Sequence, residues 1–217
     1  MRPTMAPMAD ATSTPAEAGE DRILTVPNLI TLVRLLCIPV FLWLLWGRDA
    51  PAWAALLLAF LGATDWVDGY VARHFHQVST LGKAFDPIVD RALLIIGVLS
   101  IIAYGAVPLW LGLVVVIREV VLSVWVVGIT ALGARRMDVT WWGKAGTFGM
   151  MVAFPAFLAS SDTALPDGVR TALEVIAWAA AIPGLVCSMI AFAGYFPMGL
   201  AALREGREGR AAAANGV

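Results

Sequence analysis

Residues 65–90 read DWVDGYVARHFHQVSTLGKAFDPIVD. The stretch holds four carboxylates in two pairs, Asp65 with Asp68 and Asp86 with Asp90, and long apolar runs flank it on both sides. An Asp at the centre of a membrane helix costs about 2.5–3.5 kcal/mol on insertion scales, so four acids beside such runs need a compensating partner. Residues three or four apart share a helix face. Asp65 and Asp68 therefore project together from the end of one helix, and Asp86 and Asp90 from the start of the next. A short connection sets the two helices side by side and antiparallel, so the four carboxylates converge. Hard oxygen donors of this kind suit Mg²⁺, Mn²⁺ or Ca²⁺ and not zinc. The competing reading is an ion-pair network with Arg73, Lys83 and Arg91, but the four acids outnumber these three bases.

Composition says what kind of helices these are. Of 217 residues, 60% are hydrophobic and 14% are charged, against about 25% charged in a soluble domain. The apolar residues fall in runs that reach the roughly 20 residues needed to cross a bilayer. Six spans are expected, over 28–46, 52–71, 87–104, 109–132, 146–160 and 171–203. The fifth is short, with an alternative start near Trp142, and Pro183 and Pro197 interrupt the sixth. The expected fold is all-α, a polytopic membrane protein with one domain over 22–203. Disordered cytoplasmic tails are expected at 1–21 and 204–217. Cys37 and Cys187 lie in apolar runs and read as small core hydrophobes. The N-terminal residues lack the short apolar core and cleavage site of a signal peptide. The net charge of −1 points to no partner class, and no nucleic-acid partner is expected.

The lysines and arginines set the expected topology. One side carries Arg2, Arg22, Arg73, Lys83, Arg135, Arg136, Lys144, Arg204, Arg207 and Arg210, and the other carries Arg48 and Arg170. Both termini and the 65–90 motif are thus expected on the cytoplasmic side of the plasma membrane, where a water-soluble leaving group can depart.

The full pattern of the stretch is D-x2-D-G-x2-A-R-x8-G-x3-D-x3-D. It resembles the motif of the CDP-alcohol phosphatidyltransferases, integral membrane enzymes of phospholipid synthesis. Eight positions match, Asp65, Asp68, Gly69, Ala72, Arg73, Gly82, Asp86 and Asp90. The resemblance implies a CDP-diacylglycerol donor, an acceptor hydroxyl that attacks the phosphorus bearing the lipid, and CMP as leaving group. It also implies a homodimer. Asp65, Asp68 and Asp86 are implied as ligands of two Mg²⁺ or Mn²⁺ ions, and Asp90 as a general base that shares in metal binding. The chemistry is consistent with this, since a carboxylate near a bound hydroxyl can take its proton. Gly69, Ala72 and Gly82 would let the nucleotide approach the backbone, and Arg73 would hold diphosphate oxygens by charge-assisted hydrogen bonds. Helix packing and topology anchoring are the competing roles for these residues. His74 and His76, two apart, do not share a helix face and read as surface residues.

Further residues follow from the same resemblance. Asn28, Thr31 and Arg34 fall at i, i+3 and i+6, like the N-x2-T-x2-R pattern that opens glycerophospholipid members. Asn28 and Thr31 are then placed at the CDP-lipid and Arg34 at the acceptor; the alternative is a helix cap and a snorkelling arginine. Arg118 and Glu119 sit in the middle of the fourth run, where a buried Arg needs an anion. Arg118 is the leading acceptor-phosphate ligand, against a salt bridge to an acid on another helix. Gly143-Lys144-Ala145-Gly146-Thr147 resembles the G-K-x-K-T of phosphatidylglycerophosphate synthases, with Gly146 replacing the second lysine. Lys144 is therefore an acceptor-binding candidate. One fewer cation tilts the acceptor from glycerol 3-phosphate toward phosphatidylglycerol, the cardiolipin synthase reaction. Two other classes compete with an enzyme, a cation transporter using the intramembrane acids and a structural membrane protein with an incidental metal site. Transporters often carry inverted repeats; this sequence shows no repeat.

Overall fold

The computed structural model describes residues 26–75, 94–135 and 138–215, with side chains over 32–64, 94–135, 138–208 and 210. Every regular element among them is helical. The helices are α1 Val26–Leu42, α2 Pro51–Phe75, α3 Leu94–Tyr104, α4 Leu109–Ala131, α5 Trp141–Ser160 and α6 Asp167–Asn215. They stand where the six apolar runs are read in the sequence. A π-helical stretch, Trp43–Gly47, prolongs α1.

Local chemistry fixes the boundaries. α2 starts on Pro51, whose missing N–H costs nothing at a first helical position. The next donor, the Ala52 N–H, is received by Oδ2 of Asp162 at 3.0 Å. Asp162 is buried in the α5–α6 connection, and its Oδ1 also accepts from the Ala164 N–H at 2.9 Å. Thr140 caps α5, its Oγ1 accepting from the Gly143 N–H at 3.2 Å. The fifth helix thus begins at Trp141, five residues before the expected start at 146 and beside the alternative at Trp142. α4 ends in a turn through Gly133, whose φ of +87° suits a residue without Cβ.

α6 departs most from expectation. It runs unbroken through Pro183 and Pro197 and continues to Asn215, where the sequence reads an interrupted span ending at 203. Its C-terminal part braces the turn between α4 and α5. The Arg210 guanidinium donates to the carbonyls of Leu132 and Gly133 at 3.1 and 3.0 Å. The Arg135 N–H donates to the Ala202 carbonyl at 3.0 Å.

α5 and α6 form the most extensive helix pair. Their seam is made of small residues, which let two backbones approach closely. A Cβ built on Gly149 would lie 2.7 Å from Cα of Gly184, and one on Gly146 would lie 2.8 Å from Cα of Ser188. Around this pair the core gathers Phe41, Leu45, Ile101, Leu111, Phe157 and Leu158. Among the described residues two helices are long and apolar enough to cross a membrane, Leu109–Ala131 and the Asp167–Glu208 part of α6, with mean hydropathies of 2.2 and 2.1 over an 18-residue window of each. The described apolar stretches of α1, α2 and α3 are shorter. Large side chains such as Leu36, Trp53, Phe60, Ile117, Val124 and Val127 are all exposed, more apolar surface than a water-soluble monomer usually shows.

Candidate active site

All six helices contribute to one cavity of about 200 Å³. Its walls are mostly apolar, with Leu58 and Leu61 from α2, Ile101 from α3, and Met150 and Phe154 from α5. Small residues make the space, with Gly62, Gly97, Gly146 and Ser188 on the lining. At Gly97 a Cβ would meet nothing nearer than Leu58 Cδ1 at 3.9 Å.

Against these walls stand Arg34 from α1 and Arg118 and Glu119 from α4. Arg34 is 8% exposed, and the side chains of Arg118 and Glu119 are 13% and 14% exposed. Nη1 of Arg118 donates to Oε2 of Glu119 at 2.9 Å. Among the described residues the ion pair of Arg118 is therefore with the next residue on the same helix, not with an acid on another helix. Nε of Arg118 is buried and has no hydrogen-bond partner among the described residues. A buried donor left unmade costs about 1–3 kcal/mol, more on a charged group.

The sequence-derived acceptor residues divide. Arg34 and Arg118, 84 positions apart in sequence, meet on this cavity. Lys144 is exposed and does not line it. Thr147, from the same segment, does line it, and its hydroxyl donates to the Gly143 carbonyl at 2.9 Å. Gly146 needs a different explanation from the missing cation read in the sequence. A side chain there meets the backbone of Ser188, so a lysine would force α5 and α6 apart.

Asn28 and Thr31 lie on the first turns of α1, and Asp65, Asp68, Gly69, Ala72 and Arg73 on the C-terminal half of α2. Residues 48–50 turn the chain back, and α1 and α2 pack together. Both groups therefore sit at the same end of the helix pair. Gly82, Asp86 and Asp90 lie outside the described residues, as does the connecting segment from 76 to 93 that includes His76.

The residue types of the motif suit a hard divalent cation. α2 is continuous through 65–68, so Asp65 and Asp68 lie about one turn apart on one helix face. The motif donors are all carboxylates, as such an ion prefers. Among the described residues no group of three or more His, Cys, Asp or Glu is gathered that could hold a metal ion.

Sequence reasoning did not single out Gly62, Gly97 or Ser188 as lining residues. An isolated glycine inside each of the second and third apolar runs was the available signal.

The profile of the CDP-alcohol phosphatidyltransferase family matches residues 24–186. The chain belongs to that family and is a transferase of phospholipid synthesis. The family is generally dependent on a divalent metal, and its substrates are a CDP-linked lipid and an alcohol. Among curated relatives, the chain is 37% identical over 164 residues to a cardiolipin synthase (CMP-forming) of Streptomyces coelicolor, covering 73% of this chain and 75% of that one. It is 34% identical over 147 residues to a CDP-diacylglycerol–glycerol-3-phosphate 3-phosphatidyltransferase of Pseudomonas fluorescens, covering 63% and 73%. A Bacillus subtilis protein of the same name is 30% identical over 150 residues, covering 61% and 76%. Membership of a transferase family favours the enzyme over the transporter and the structural protein.

Proposed function

We propose that this enzyme moves the phosphatidyl group of CDP-diacylglycerol onto phosphatidylglycerol, releasing CMP and forming cardiolipin. The observation that carries the acceptor reading is the meeting of Arg34 and Arg118 on one cavity whose other walls, apart from Glu119, Thr147 and Ser188, are apolar. A phosphate with hydrocarbon attached matches both features. The name of the Streptomyces coelicolor relative points the same way.

In this reading the acceptor hydroxyl attacks the phosphorus that bears diacylglycerol. A new P–O bond forms to the acceptor oxygen, the anhydride P–O bond breaks, and CMP leaves with the electron pair. Asp90 takes the hydroxyl proton. Asp65, Asp68 and Asp86, with a share from Asp90, would hold two Mg²⁺ or Mn²⁺ ions. When bound, the metal supplies charge neutralisation at the diphosphate. Arg73 holds diphosphate oxygens, and Asn28, Thr31, Gly69, Ala72 and Gly82 surround the CDP moiety. Arg118 and Arg34 hold the acceptor phosphate and thereby orient its hydroxyl; Lys144 guides the acceptor from outside the cavity. The protein sits in the plasma membrane as a homodimer, with both termini and the active site on the cytoplasmic side, as the Lys and Arg distribution supports.

The second reading is a phosphatidylglycerophosphate synthase using glycerol 3-phosphate, favoured by the names of the Pseudomonas fluorescens and Bacillus subtilis relatives. An acceptor panel with purified enzyme separates the two. Phosphatidylglycerol should be the best of phosphatidylglycerol, glycerol 3-phosphate, inositol phosphate and serine. A strong preference for glycerol 3-phosphate would establish the second reading.

A further inference from the structure

We propose that Val115 is a specificity-determining residue. With Ile101 and Phe154 it holds the hydrocarbon that follows the acceptor phosphate, so that the cavity takes a lipid in preference to its bare headgroup. The inference rests on the acceptor reading above and deepens it. The cavity is graded along the bundle axis, and two side-chain ties mark one end of the bundle. The Ala52 N–H at the start of α2 donates to Asp162, just beyond α5, at 3.0 Å. The Tyr104 hydroxyl at the end of α3 donates to Oδ1 of Asp49, in the α1–α2 turn, at 2.7 Å. Residues 105–108 also turn α3 into α4 at this end. Leu58, Ile101, Val115 and Pro155 are the lining residues nearest it on α2, α3, α4 and α5, and all four are apolar. The polar lining residues Glu119 and Thr147 stand further from it along α4 and α5. α2 carries Asp65 one turn beyond the lining residues Leu61 and Gly62, toward the opposite end.

Val115 stands three residues before Arg118 on α4, about 4.5 Å nearer the apolar end at 1.5 Å rise per residue. Val115, Ile101 and Phe154 are 7%, 0% and 6% exposed, so this end of the cavity is walled by buried side chains. A phosphodiester acceptor laid along the axis therefore has an order. Its reacting hydroxyl points toward the motif end of α2, its phosphate is level with Arg118, and its second substituent meets Val115, Ile101 and Phe154. These walls offer a hydroxylated substituent no hydrogen-bond partner, so its desolvation there is uncompensated. Hydrocarbon gains instead, by about fourfold in binding for each buried methylene. Phosphatidylglycerol carries an acylated glycerol at this position, and glycerophosphoglycerol, the same headgroup without acyl chains, carries a hydroxylated one.

The test uses the purified full-length enzyme with CDP-diacylglycerol and a divalent cation in micelles of constant composition. For wild type, Val115→Leu and Val115→Phe, kcat/KM is measured with dihexanoyl-phosphatidylglycerol and with glycerophosphoglycerol. Both acceptors carry the same phosphodiester headgroup, so the ratio of the two values reads the hydrocarbon alone, and any partition into micelles cancels between variants. Each larger side chain takes up space that the acceptor's hydrocarbon would fill. Val115→Leu should lower the ratio by about fourfold, the worth of one methylene, and Val115→Phe by about tenfold or more. The change should come through a higher KM for dihexanoyl-phosphatidylglycerol. Val115→Leu adds one methylene beside open space and keeps the test decisive where Val115→Phe does not fold. An unchanged ratio in an active variant overturns the role of Val115 and leaves the acceptor reading standing. So does a rise in the KM of CDP-diacylglycerol with that of the acceptor unmoved, which would put the donor's hydrocarbon against Val115. Wild type that turns over glycerol 3-phosphate and neither diester overturns both.

Discussion

Gly149 of α5 and Gly184 of α6 meet backbone to backbone, so that a Cβ on the first would lie 2.7 Å from Cα of the second. The contact lies one turn from Gly146, which lines the cavity, so the seam sets the width of that wall. Gly149→Val and Gly184→Val should each destabilise the protein by about 1–3 kcal/mol or more, the range for forcing extra methyl groups into a packed core. Thermal unfolding in detergent checks this. Gly168→Ala is the control, because a Cβ there meets nothing within 4 Å, and its unfolding midpoint should equal or exceed that of wild type.

Asp162 ties the α5–α6 connection to the start of α2 through the Ala52 N–H at 3.0 Å. Asp162→Ala removes this cap and the bond to Ala164, at a cost of about 0.5–2 kcal/mol. The unfolding midpoint should fall. The KM of neither substrate should move, since Asp162 is absent from the cavity lining. A changed acceptor KM would mean that the two ends of the bundle are coupled.

Arg118 and Lys144 should behave differently, because one lines the cavity and the other is exposed off it. A hydrogen bond to a charged group contributes about 1.5–3 kcal/mol, about tenfold to a hundredfold in binding. Arg118→Gln should raise the acceptor KM by that factor and leave the KM of CDP-diacylglycerol largely unchanged. Lys144→Gln should have a smaller effect that fades as salt rises, as expected of an exposed charge. Steady-state kinetics at two ionic strengths decides between equal and unequal roles.

Much of this was legible in the sequence because the signals are local. Long apolar runs place six helices, and a charged residue inside the fourth run singles out Arg118, which the fold puts on the cavity. The spacing of Asp65, Asp68, Asp86 and Asp90 carries the family. What was not legible depends on which helix lies against which. Gly146 reads as a missing lysine until Ser188 of α6 is known to occupy the space beside it. Lys144 and Arg118 look equivalent until the fold puts only the latter on the cavity. Pro183 and Pro197 read as breaks, since a proline costs a helical hydrogen bond, yet α6 continues through both while packed against α5 and α4. Arg34 meets Arg118 only through tertiary packing.

The motif acids should separate into metal holding and proton transfer. Asp90→Asn should nearly abolish turnover while CDP-diacylglycerol still binds. Asp65→Asn and Asp86→Asn should weaken both metal binding and turnover. Metal titration by calorimetry alongside turnover reads the two effects apart, and an Asp90→Asn enzyme within a few-fold of wild type would remove its role as base.

Cardiolipin synthesis is measured most directly by following CMP and lipid product together, with purified protein, CDP-diacylglycerol, phosphatidylglycerol and Mg²⁺ or Mn²⁺. CMP and cardiolipin should appear in equal amounts, with both lost when a chelator strips the metal and restored when it is returned. Full turnover in excess chelator, or CMP release that depends on glycerol 3-phosphate and not on phosphatidylglycerol, would contradict metal-dependent cardiolipin synthesis.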